Sequence, residues 1–159
     1  MKFKWLILFL FIPALSHSQI NRIDSLKKLL PVLKDSSRID CFNKISVEYY
    51  INALSETYIN VQTDSAVSFA SKAYIEAIKL HYTKGVAEAL QNLGEIARDR
   101  NDFITAEKYF RQSAPLFAAI HDREKYSWAK VTLGFPYLAR VNFLLQNWPM
   151  IRVYLITSR

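Results

Sequence analysis

The sequence repeats itself with a period of 40 residues, and this property narrows the possible folds more than any other. His81-Tyr82-Thr83-Lys84 through Leu93-Gly94 to Asp102-Phe103 aligns with His121-Asp122-Arg123-Glu124 through Leu133-Gly134 to Asn142-Phe143, with Ala89 on Ala129 and Arg100 on Arg140. The register extends backwards, where Ala66, Phe69, Ala70, Ala77, Leu80 and His81 fall on Ala106, Tyr109, Phe110, Phe117, Ile120 and His121. A short unit repeated in this way cannot enclose a core by itself. It buries its apolar face by stacking on the next copy.

Each unit reads as two helices and a turn. Val86, Leu90, Leu93 and Ala97 recur at three-to-four residue spacing, which lines one face of a helix. Asn101-Asp102 follows with turn and N-cap chemistry, because a short side-chain oxygen can accept from the free N–H groups that open the next helix. The second helix is expected from about Phe103, with Ala106, Tyr109, Phe110, Ser113 and Phe117 on its inner face. Gly94 and Ala106 let the two backbones approach closely. Glycine inside a helix costs about 1 kcal/mol relative to alanine, so its return as Gly134 predicts the same packing role there. Leu90, Leu93, Gly94, Ala106, Phe110, Leu133 and Gly134 form the expected repeat-packing set.

These residues resemble the tetratricopeptide repeat family, whose helix A carries a Leu-Gly step and whose helix B carries small, aromatic and small residues in turn. Leu90, Leu93-Gly94, Ala106, Phe110 and Ser113 fill those places in one unit. The resemblance covers about residues 38 to 143 and implies an all-α fold, a short αα-superhelix or solenoid of antiparallel helix pairs. In an earlier unit, Ala66, Ala70 and Ala73 take the helix B places and helix A would include Ile45 and Tyr49. That unit lacks the Leu-Gly step and has extra residues from about Leu54 to Gln62. In this family the partner lies in a concave groove lined by the A helices. The resemblance therefore points to Glu88, Gln91, Asn92, Glu95 and Asp99 as groove residues for a protein or peptide partner.

Residues 1–18 have the layout of a Sec signal peptide: Lys2 and Lys4, an apolar run from Trp5 to Leu15, then Ser16 and Ser18 flanking His17. The run is short of the roughly twenty residues that a membrane-crossing helix needs. No cysteine stands near the cleavage region to accept a lipid. The expectation is export to the periplasm or beyond, with no stable membrane anchor after cleavage. Cys41 is the lone thiol, so stability must come from packing rather than an internal disulfide. Cys41 itself reads as a small buried hydrophobe. An export signal, a short helix such as Ile23 to Leu33, then 40-residue helical pairs also looks similar to the N-terminal sensory regions of bacterial signalling proteins. There a membrane helix and a histidine kinase or transcriptional regulator domain follow.

The formal charge of +7 would suggest a polyanion partner if it lay on one folded face. It does not, because Ile20 to Glu124 holds 14 basic and 14 acidic residues. Lys2, Lys4, Lys125, Lys130, Arg140, Arg152 and Arg159 make up the excess. Nucleic acid is accordingly not an expected partner. The same reading finds no catalytic, cofactor-binding or metal-ligating set. His17, His81 and His121 are far apart, and Gly85, Gly94 and Gly134 cannot build a phosphate-binding or nucleophile loop. His81 and His121 close their helices and are expected to act in capping. Asp99 and Asp102 fall at turns and suit caps better than an acid and base couple.

The organisation expected is a signal peptide at 1–18, a repeat domain at 19–140 and a degenerate tail at 141–159. Pro136 falls in the middle of the third helix A and should interrupt it. Gln146 replaces the small residue of helix B, and Pro149 breaks what would follow. Three readings of this tail are open: a truncated or frame-disrupted end, a surface that docks a partner or second copy, and a segment folded back over the last pair.

Overall fold

The computed structural model describes residues 22–55 and 59–147. The expected signal peptide and the tail from residue 148 onward lie outside the described residues. Those that are described form six helices: α1 at 22–29, α2 at Asp35–Ser55, α3 at Ile59–Lys79, α4 at Thr83–Asp99, α5 at Phe103–Ala119 and α6 at Arg123–Asn147. The described residues are all-helical, with neighbouring helices packed on one another within each compact unit. Among the described residues, no helix is long and apolar enough to cross a membrane. The chain divides into two compact units at Gly85/Val86, so the first turn of α4 belongs to the first unit and its remainder to the second.

In the first unit, α1 stops at residue 29, short of the expected Leu33, because the residue before Pro31 is pushed away from helical geometry. It is fastened to α2 by an ion pair of 3.0 Å from Arg22 to Glu48, by Lys27 on the Tyr49 hydroxyl, and by the Cys41 thiol donating to the Leu26 carbonyl. Cys41 is buried, as expected. Burial pushes its thiol pKa up, against a smaller opposing pull from Lys44. Helices α2 and α3 run antiparallel: Arg38 reaches Glu76 near one end, while the Ser46 hydroxyl donates to the Ala66 carbonyl at 2.8 Å nearer the other. Ala66, Ala70, Ala73 and Ala77 are fully buried along α3. The extra residues of this unit lengthen its helices, 21 residues each against 17 in α4 and α5. Tyr49 stacks on Phe69 at 5.7 Å, and Phe42 adds a tilted ring at 6.0 Å.

In the second unit, Ala97 near the end of α4 packs on Ala106 and Phe110 near the start of α5, while Ala87 packs on Ala114 and Phe117 at the other ends. That pairing makes α4 and α5 antiparallel. Helix α6 completes both clusters, with Ala129 in one and Leu133 against the other. The close approach is made at Gly94, where an added Cβ would lie 2.8 Å from Phe110 Cε1. Leu90, Leu93, Ala106 and Phe110 are all buried, as the repeat pattern requires.

The turns repeat as faithfully as the helices. His81, Asn101 and His121, spaced by 20 residues, have φ of 52°, 61° and 58°. Each donates its N–H three residues back, and the next residue donates five back: Tyr82 to Ala77, Asp102 to Ala97 and Asp122 to Phe117, at 2.9, 2.9 and 3.0 Å. This is the Schellman arrangement, which satisfies the last carbonyls of a helix by placing one residue in the left-handed region. The histidines thus cap through the backbone. Asp102 then caps α5 by accepting from the Thr105 N–H at 3.1 Å, and Asp122 accepts from Lys125 in the same way at 3.0 Å.

The third repeat departs from expectation. Helix α6 continues through Pro136 and past the point where the register places a turn, ending at Asn147. The position that would have to take positive φ is Val141, in the place held by Asn101. A β-branched residue is strongly disfavoured there, whereas asparagine and histidine tolerate it. Asn142 stands where Asp102 caps. Without a residue that can enter the left-handed region the chain keeps winding. Proline does not stop it, and α5 likewise runs through an exposed Pro115.

Two hydrogen bonds to Thr105, the hydroxyl first and the N–H second, lower the Asp102 carboxyl pKa below its ordinary value. A group whose folded pKa is depressed stabilises the fold above its unfolded value, about 3.9, and that contribution fades as pH falls through the lower folded value. Replacing Asp102→Asn should flatten this part of the acid limb of a stability-versus-pH curve, with the loss of stability largest at neutral pH, where the ionised carboxylate contributes in full, and vanishing below the folded pKa. Curves of identical acid slope would contradict the capping role of the ionised carboxylate.

Candidate interaction surface

The five residues expected to line a groove lie at positions 88, 91, 92, 95 and 99 of α4, four of them at spacings of four, three and four, which makes one stripe. The structure places this stripe beside α6. Lys125 forms an ion pair with Glu88, and the Trp128 indole N–H donates to Glu95 Oε1 at 2.7 Å. Arg98 bridges Glu95 and Asp99, at 2.8 and 2.9 Å. Gln91 and Asn92 are half-buried. Glu88, Glu95 and Asp99 are therefore already engaged by cations and an indole of the same unit. Such pairs fix side-chain positions more than they add stability, since partly exposed ion pairs contribute only up to about 1 kcal/mol.

What the stripe leaves open is apolar and belongs to α6. Trp128 is 50% exposed, Val131 59% and Leu138 63%. In the 40-residue register these stand on Glu88, Gln91 and Arg98. The sequence reading took the groove from α4 alone and missed Trp128. The signal was present in the alignment, where glutamate at one repeat becomes tryptophan at the next.

The seam between α4 and α6 thus offers an anchored aromatic side chain, a rigid row of satisfied polar groups and flanking aliphatic surface. Among the described residues no three His, Cys, Asp or Glu side chains are placed to hold a metal ion. A shallow hollow at the turn into α6 is lined by Ala118, His121, Asp122, Arg123 and Tyr126. Its carboxylate is occupied in capping. Comparison of the chain with protein-family models, with curated proteins and with solved structures gives no match in any of the three.

Proposed function

We propose that the chain is a non-catalytic, exported helical-repeat module of the tetratricopeptide kind, and that it binds a protein or peptide partner across α4 and α6. The observation that carries this reading is Trp128, half exposed yet held by its indole N–H to Glu95. Large aromatic side chains presented on a rigid surface are the commonest anchors of protein interfaces. Because the helices pre-order the surface, association loses little conformational entropy. Glu88, Gln91, Asn92, Glu95 and Asp99 supply the polar margin. The superhelical stacking of the pairs, like the export step, is part of this proposal and is supported by the repeat register and by the layout of residues 1–18.

The test is capture of a partner from periplasmic extract with the mature chain, followed by titration of that partner against Trp128→Ala. An anchor of this kind contributes about 2 kcal/mol or more, so affinity should fall roughly thirtyfold with helicity unchanged by circular dichroism. Undiminished affinity in the variant would reject the α4 and α6 seam as the binding surface. Binding of nucleic acid that falls steeply with salt would instead restore the polyanion reading.

A further inference from the structure

Helix α1 lies on the first unit without being needed to hold α2 on α3. Of residues 22–29, Ile23 is buried, Leu26 and Lys27 are half-buried and the others are exposed. Its contacts include the Arg22 ion pair to Glu48, the Lys27 ammonium over the Tyr49 and Phe69 rings at 5.0 and 5.9 Å, and the Leu26 carbonyl that accepts from the Cys41 thiol at 3.4 Å. Helix α2 is fixed from other directions. Arg38, Ser46 and the Tyr49 ring hold it to α3. Asp40 accepts from the Tyr82 hydroxyl at 3.0 Å and faces the Lys84 ammonium at 3.8 Å, while Asn43 donates to the Gly85 carbonyl at 3.2 Å. The connector from α1 to α2 is mostly exposed, contains Pro31, and enters α2 through Asp35 at a φ of 49°.

We infer that α1 is a releasable strap: it lifts from α2 and α3 as one piece while that pair stays folded, and its release uncovers the Cys41 thiol and the paired rings of Tyr49 and Phe69. A segment with few buried apolar contacts opens at a free energy far below that of the whole domain. Ile23 is the one residue of 22–29 that gives up a buried position, and the polar contacts lie at a margin where water can replace them. Arg22 serves as the latch, since its side chain is 72% exposed yet reaches a Glu48 side chain that is only 10% exposed. Cys41 is 4% exposed, with its sulfur turned to the α1 backbone, so thiol chemistry at this position reads the open population. The strap belongs to the first unit and does not depend on the Trp128 seam of the second.

The probe is iodoacetamide, applied to the purified chain at constant pH in increasing urea, with the Cys41 adduct followed by mass spectrometry. Labelling slower than that of an unstructured cysteine peptide, yet nearly independent of urea below the unfolding transition, is expected, because lifting one short helix exposes little surface. Ile23→Ala should speed labelling at least tenfold and Arg22→Ala about twofold to fivefold, with the urea midpoint of the helical circular dichroism signal moving far less. Ile75→Ala, at an exposed position of α3, should leave the rate within about twofold. The alkylated chain should keep most of its helical signal. A labelling rate that climbs with urea along the full slope of global unfolding would overturn the inference, because the thiol would then be reached only when α2 and α3 come apart. Equal rates in the wild type and Ile23→Ala would do the same. So would an Ile23→Ala chain that does not fold, since the pair would then depend on α1.

Discussion

Phe110→Ala is expected to lower the stability of the second unit by about 3 to 5 kcal/mol. The ring is fully buried, rests on Gly94, lies between Ala97 and Ala106, and has Leu133 of α6 against it. Those neighbours are small or already committed, so the cavity left by the ring cannot be filled by a local shift, and the lost transfer energy adds to an unrelaxed void. Small domains retain only about 5 to 15 kcal/mol in total. Urea unfolding followed by circular dichroism should therefore show the α4 to α6 unit melting at much lower denaturant. A loss below about 1.5 kcal/mol would mean that the ring is not the centre of this cluster.

Alanine at Gly94 and alanine at Gly134 should change stability in opposite directions, although the two glycines hold the same place in successive repeats. Alanine gains about 1 kcal/mol over glycine in a helix interior. At Gly134 nothing opposes that gain among the described residues, and the unfolding midpoint should rise. At Gly94 the new methyl would stand 2.8 to 3.0 Å from three atoms of the Phe110 ring. The ring has no space to withdraw into, and overpacking of this kind costs about 1 to 3 kcal/mol. The net change at Gly94 should be a loss of up to about 2 kcal/mol. Combining Gly94→Ala with Phe110→Leu should recover part of that loss, because the two sites share one contact and do not add. Equal and favourable shifts at both glycines would show that Gly94 is not held by close packing.

Much of the helical layout was legible before any coordinates. Asn101-Asp102 announced its turn and cap, and Asp102 does accept from Thr105. The apolar spacing of α4 and α5 predicted Leu90, Leu93, Ala106 and Phe110 as buried, and they are. The candidate surface was legible only on one side. Glu88, Gln91, Asn92, Glu95 and Asp99 could be placed on a common stripe, but nothing in their spacing revealed Lys125 on Glu88 or Trp128 on Glu95, since those partners lie 37 and 33 residues away.

Local chemistry explains the division. Which residues form helices, where each pair turns and which small residues allow contact follow from interactions within four or five positions along the chain, and from a 40-residue period that repeats them. Gly134 shares the Leu-Gly step with Gly94, but among the described residues nothing lies within 4 Å of a Cβ built there, because whether a glycine is crowded depends on what the rest of the chain brings to it. That outcome turns on α6 winding on through Val141, where the repeat calls for a left-handed residue and the side chain opposes it. Tertiary structure alone decided which carboxylates were engaged, and that the exposed aromatic group of the seam is Trp128.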